Sequence, residues 1–150
     1  MNSLFNNDTL ASIEGRINSI SEKSERQWGS MNPGQMLWHC KAPLKLAMKD
    51  EKTNLKVNPI KRFVFSFFKA SLYNDTPWKQ GLPAPKSFMA SKEYNLEEEK
   101  KQLLELTQKF HQCKNQQEWP PHPLFGKFTR EQWGQMQFKH LDHHLRQFGA

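Results

Sequence analysis

Apolar residues recur along this chain with a helical period, and no stretch alternates as a half-buried strand would. Leu10, Ile13, Ile17 and Ile20 share one face of a first helix expected from Thr9 to Glu25, with Gly15 weakening its interior. Trp28, Gly29 and Ser30 break that pattern. Asn32, Pro33 and Gln35 read as the cap, first residue and capping-box partner of a second helix reaching Lys49. On that helix Met36, His39, Pro43, Leu46 and Ala47 fall on one face, and Lys41, Lys45 and Lys49 lie opposite. Pro43 cannot donate to the carbonyl of His39, which predicts a kink.

A shorter third helix follows Asn58-Pro59, with Ile60, Phe63, Val64, Phe67, Phe68 and Leu72 as a wide apolar stripe. The stretch from Thr76 to Tyr94 is irregular and long for a connection, a kind of loop that often borders a site. Asn95 opens a fourth helix, with Glu97, Glu98 and Glu99 at its positive end and a stripe of Leu103, Leu106, Phe110 and Cys113. A second loop, Glu118 to Phe128, leads to a Thr129/Gln132 capping box and a last helix reaching Phe148. Four long helices and one short one predict an all-α fold, a four-helix bundle of mixed connections forming a single domain over residues 1–150.

The last helix carries the candidate chemistry. His140 and His144 stand at i and i+4, so two imidazoles leave one side of the helix a turn apart. Trp133, Met136 and Gln147 are close to the same sector, and Phe138, Leu141, Leu145 and Phe148 adjoin it. Lys139, Asp142 and Arg146 are placed opposite, toward solvent. Buried imidazoles need partners for their nitrogens, and a metal ion supplies them. His39, on the core face of the second helix, is the expected third ligand. Three histidines leave one coordination position for water or substrate, as in catalytic zinc sites. Neutral imidazoles suit zinc, nickel, copper or iron, with zinc or nickel the leading expectation. The pattern HxxHH leaves His143 or His144 open as the second ligand, and the angle favours His144. Gln35, His122, His143 and Gln147 are candidate pocket residues. Cys40 reads as a small buried hydrophobe, His111 as an exposed helix residue, and Trp133 and Trp28 as packing residues.

Composition narrows the field further. The 22 basic and 15 acidic residues give +7, but the excess is spread through the chain, so a nucleic-acid partner is not expected. No apolar run approaches the roughly 20 residues of a membrane helix, and the polar start is no secretory signal. Two cysteines 73 positions apart form neither a disulfide framework nor a CxxC motif, which fits a reducing, cytoplasmic setting. HExxH, Glu-x-x-His, P-loop, GxGxxG and GxSxG patterns are all absent.

Two blocks, WGSMNPGQMLWHC and HPLFGKFTREQWGQMQFKHLDHHLRQFG, resemble the DinB/YfiT-like superfamily, in particular a branch ending in HPxFG…W…HxDHHxRQFG. The resemblance implies a four-helix bundle with a divalent metal held by one histidine of the second helix and an HxxxH pair of the last. On this chain those are His39, His140 and His144. It also implies frequent homodimers and, in some relatives, thiol-dependent transferase or isomerase activity with a low-molecular-weight thiol. The resemblance therefore implies a metal-dependent enzyme acting on a small molecule, an S-transferase, isomerase or hydrolase. The alternative is a non-catalytic, metal-stabilised interaction module in which Trp38, on the lysine side of the second helix, meets a partner.

Overall fold

The computed structural model describes residues 2–49, 59–82 and 89–150, and its described residues are all-α, with no strand among them. The helices are α1 (Asn7–Ser19), α2 (Pro33–Met48), α3 (Pro59–Ser66), α4 (Leu96–Gln112) and α5 (Arg130–Arg146). Short 3-10 turns follow α3 at Lys69–Leu72 and α4 at Cys113–Asn115. No helix among the described residues is long and apolar enough to cross a membrane.

The packing forms a closed ring. α4 lies against α1 and α2, and α5 lies against the same two helices. The order around the bundle is thus α1, α4, α2, α5, so the consecutive pairs α1–α2 and α4–α5 sit mainly across diagonals. One core runs through the ring, with Ile13, Ile17, Leu37, Leu44, Leu103, Phe110, Trp133, Leu141 and Leu145 buried. Such side chains supply most of the stabilisation, about 1.5–3 kcal/mol for each fully buried large aliphatic.

Local chemistry starts the helices as expected. The Asn32 side chain accepts from Gln35 N at 2.8 Å, and Asn32 N donates to Gln35 Oε1 at 3.0 Å, closing the capping box. Asn95 caps α4 by accepting from Glu98 N, and Thr129 with Gln132 repeats the box at α5. The cap expected at Asn58 lies outside the described residues, as does 83–88 within the long irregular connection.

Several expectations need correction. α1 ends at Ser19, six residues early: Ile20 is extended, and Ser21 and Ser24 bond to each other in a turn that competes with further helix. Lys41 is buried rather than solvated, because α4 covers that face of α2 and supplies Glu99, 2.5 Å from Lys41 Nζ, and Gln102. Lys139 is buried as well, donating to Ser71 O, Asn74 O and Asn74 Oδ1. The stripe of α3 itself faces outward, with Phe63 66% and Phe67 71% exposed, since α3 is not one of the helices forming the ring, and only Leu72, in the turn after it, packs against the core.

The segment before α1 packs closely. Leu4 is fully buried, Leu4 N donates to Gly134 O at 3.1 Å, and the Phe5 ring stacks on Phe110 at 4.9 Å. His111, instead of facing solvent, uses Nδ1 to meet Leu4 O at 2.7 Å. A Cβ on Gly134 would overlap Ser3 Oγ and come within 2.5 Å of Phe5 Cδ2, whereas one on Gly15 would meet nothing within 4 Å. Two opposite outcomes are expected in urea denaturation. Gly15→Ala should stabilise by about 0.5–1 kcal/mol. Gly134→Ala should destabilise by about 1–3 kcal/mol through overpacking.

Candidate metal centre

α2 and α5 lie side by side, and their facing sides carry His39 and His140 at one level. The level is pinned by Gln137 on α5, whose Nε2 donates to Pro43 O on α2 at 2.7 Å. Gln137 precedes His140 by three residues and Pro43 follows His39 by four, so this one bond fixes the register of the two histidines. α2 runs unbroken through Pro43.

His39 Nε2 and His140 Nε2 stand 3.2 Å apart. His39 and His140 are each 7% exposed, and His144 is half-buried beside them. The His144 ring lies 4.7 Å from each of the other two. One ligating atom from each of the three lies within 4.8 Å of the others, close enough to hold a metal ion. Two nitrogens on one tetrahedral zinc at 2.0–2.1 Å would be separated by about 3.3 Å, so the spacing of His39 and His140 already suits a shared cation.

The remaining ring nitrogens are handled differently. His144 Nδ1 meets Gln147 Oε1 at 2.9 Å, and Gln147 Nε2 donates to Trp28 O at 2.7 Å. His140 Nδ1 is buried without a hydrogen-bond partner, so the polar contact of that ring is directed wholly at His39. Burial holds His140 well below the ordinary histidine range, and the neighbouring rings of His144, His39 and His143 add to it. Burial, followed by His39, lowers His144 to about 3, against a raising hydrogen bond from Gln147. His140 and His144 are therefore neutral near pH 7, the protonation state in which imidazole binds metals.

The surroundings are aromatic. His143 is half-buried, with its ring 5.6 Å from Trp28, 5.8 Å from Trp78 and 5.0 Å from His144. Trp78 also stands 5.9 Å from His140, held by its Nε1 donating to Ser71 O, with Lys139 Nζ over its ring. Trp78 escaped sequence reasoning because it sits in an irregular loop where no periodicity gives a direction. Of the candidate pocket residues, His143 and Gln147 touch the cluster. Gln35 is engaged elsewhere, in the α2 cap and with Lys92 O. His122 builds a turn: its backbone pairs with Gly126, its Nδ1 accepts from Leu124 N at 3.2 Å, and its ring lies against Phe125, Phe128 and Trp133. Cys40 is buried against Met36, and burial raises its thiol far above the range of a reactive cysteine.

These depressed histidines give a signed pH dependence. Burial lowers His122 to about 4 from 6.5, and His144 lies lower still. Below the unfolded value the unfolded chain takes up protons that the folded chain refuses, so stability falls with falling pH. In chelator-treated protein the urea midpoint should be flat above about pH 7 and decline steadily from about pH 6.5 toward 4, the interval between unfolded and folded values. His122→Asn should make that decline shallower, and a flat profile across the interval would contradict the burial of these rings.

No curated protein and no solved structure matches the chain. A family described as a protein of unknown function, DUF1569, matches residues 2–150. The match covers both helices of the histidine cluster and every element of the ring around it, and the chain belongs to the DUF1569 family.

Proposed function

We propose that this protein is a metal-dependent enzyme of the DinB/YfiT-like kind, holding a divalent ion, zinc or nickel, through His39, His140 and His144. The observation that carries the reading is the convergence of three imidazoles from two helices, with His39 Nε2 and His140 Nε2 at 3.2 Å. Three neutral nitrogen ligands leave a position for a small-molecule substrate, a low-molecular-weight thiol in the reading that extends the resemblance. When bound, such an ion polarises a substrate oxygen or favours the ionised form of a coordinated water or thiol.

The chain's own residues have defined tasks in this scheme. His39 and His140 bring buried rings, and burial keeps His140 uncharged at pH 7, so its lone pair needs no proton removed. Trp28 and Trp78 cover the His143 side of the cluster and limit the water reaching it. His143, next to His144 and only half-buried, would take a proton from a substrate group held beside the cluster. Its neutral form is favoured by burial, which lowers its pKa.

A non-catalytic role, with the ion stapling α2 to α5, is favoured by the low exposure of His39 and His140. Chelation separates the two: a purely structural ion should lower the melting temperature steeply when removed, while a preformed bundle loses less. The direct test is metal content of untagged protein after exposure to zinc and nickel. Close to one ion per chain is expected. His39→Ala, His140→Ala and His144→Ala should each weaken binding at least tenfold, and His143→Ala much less. Wild-type protein that stays metal-free under those conditions would end the proposal.

A further inference from the structure

We infer that Gln147 is the positioning residue of this centre, selecting which nitrogen His144 presents to the other two rings. The consequence for metal binding rests on the proposed function above, whereas the selection itself rests on hydrogen-bond logic alone. Gln147 caps α5 and is 3% exposed. Its Nε2 lies 2.7 Å from Trp28 O, and its Oε1 lies 2.9 Å from His144 Nδ1. A backbone carbonyl only accepts, so the amide NH2 must face Trp28 and the amide oxygen must face the histidine. An amide oxygen also only accepts, so Nδ1 must carry the hydrogen, leaving the Nε2 lone pair for the cluster.

Two further contacts lock the amide in place. Gln27 N donates to Gln147 O at 2.8 Å, so the loop before α2 grips this residue by backbone as well as side chain. Gly29, at φ +80°, passes directly over the amide, and a Cβ there would overlap Gln147 Nε2. The same residue therefore ties the Trp28 loop to the ring orientation of His144. Partners of this sort beside ligating histidines typically change metal affinity by 10–100-fold when removed.

The test reads the His144 tautomer by long-range 1H–15N correlation in chelated protein, and zinc affinity by competition with a chromophoric chelator. Wild type should show the Nδ1–H tautomer. Gln147→Leu should give a mixture of tautomers and about 10–100-fold weaker zinc binding. Gln147→Glu keeps an acceptor beside Nδ1 and should retain the tautomer. Gly29→Ala should displace the amide and behave like Gln147→Leu. An Nε2–H tautomer in wild type overturns the inference outright, with no variant needed. A folded Gln147→Leu protein with unchanged tautomer and zinc affinity overturns it equally. Should Gln147→Leu fail to fold, an unchanged tautomer in Gly29→Ala has the same force. Wild-type protein that binds no zinc but shows the Nδ1–H tautomer refutes the metal proposal and supports the role of Gln147.

Discussion

Two imidazole nitrogens 3.2 Å apart inside a bundle cannot both carry a hydrogen, and two facing lone pairs repel. Something positive must sit between them, either one shared hydrogen or a cation bridging the two lone pairs. That constraint orders the rest of the structure. It asks that α2 and α5 hold one register, and the Gln137–Pro43 bond supplies it within a turn of both rings. It asks that the rings stay uncharged, and burial ensures this for His140 and His144. Water must also be kept from the contact, which the core beneath and the two half-buried tryptophans beside it accomplish.

Buried charge elsewhere serves packing instead. Lys41 and Glu99 join α2 to α4 as a close pair with little exposure on either side. Lys139 sits on α5 next to the cluster, and its ammonium is taken up by backbone and amide oxygens of the 71–74 turn. Losing one member of a buried charged contact typically costs about 3–5 kcal/mol, because the other is stranded. Both lysines are thus structural, and the +7 excess overstates the charge available to a polyanion.

What could be read from the residues divides by the range of the forces involved. The starts of α2, α4 and α5 were legible because capping involves residues three apart. His39, His140 and His144 were legible because helical periodicity places each on a core-facing side, and two core faces in a small bundle meet. Lys41 and Lys139 were misread for the complementary reason: periodicity locates a polar face but not the neighbour that covers it. The end of α1 escaped because serine hydroxyls, not an apolar pattern, decide it. The α3 stripe followed the helical period faithfully, yet amphipathicity says only that a face is apolar, not that this chain buries it.

The turn under Trp78 shows how such a wall can outlast sequence drift. Trp78 and Lys139 both bond the carbonyl of Ser71, and Lys139 adds the carbonyl of Asn74. Main-chain oxygens are common to every residue type, so the anchor at position 71 survives replacement of its side chain. Natural variation can therefore accumulate at that position while the indole keeps its station, and the selective burden falls on the lysine and the tryptophan.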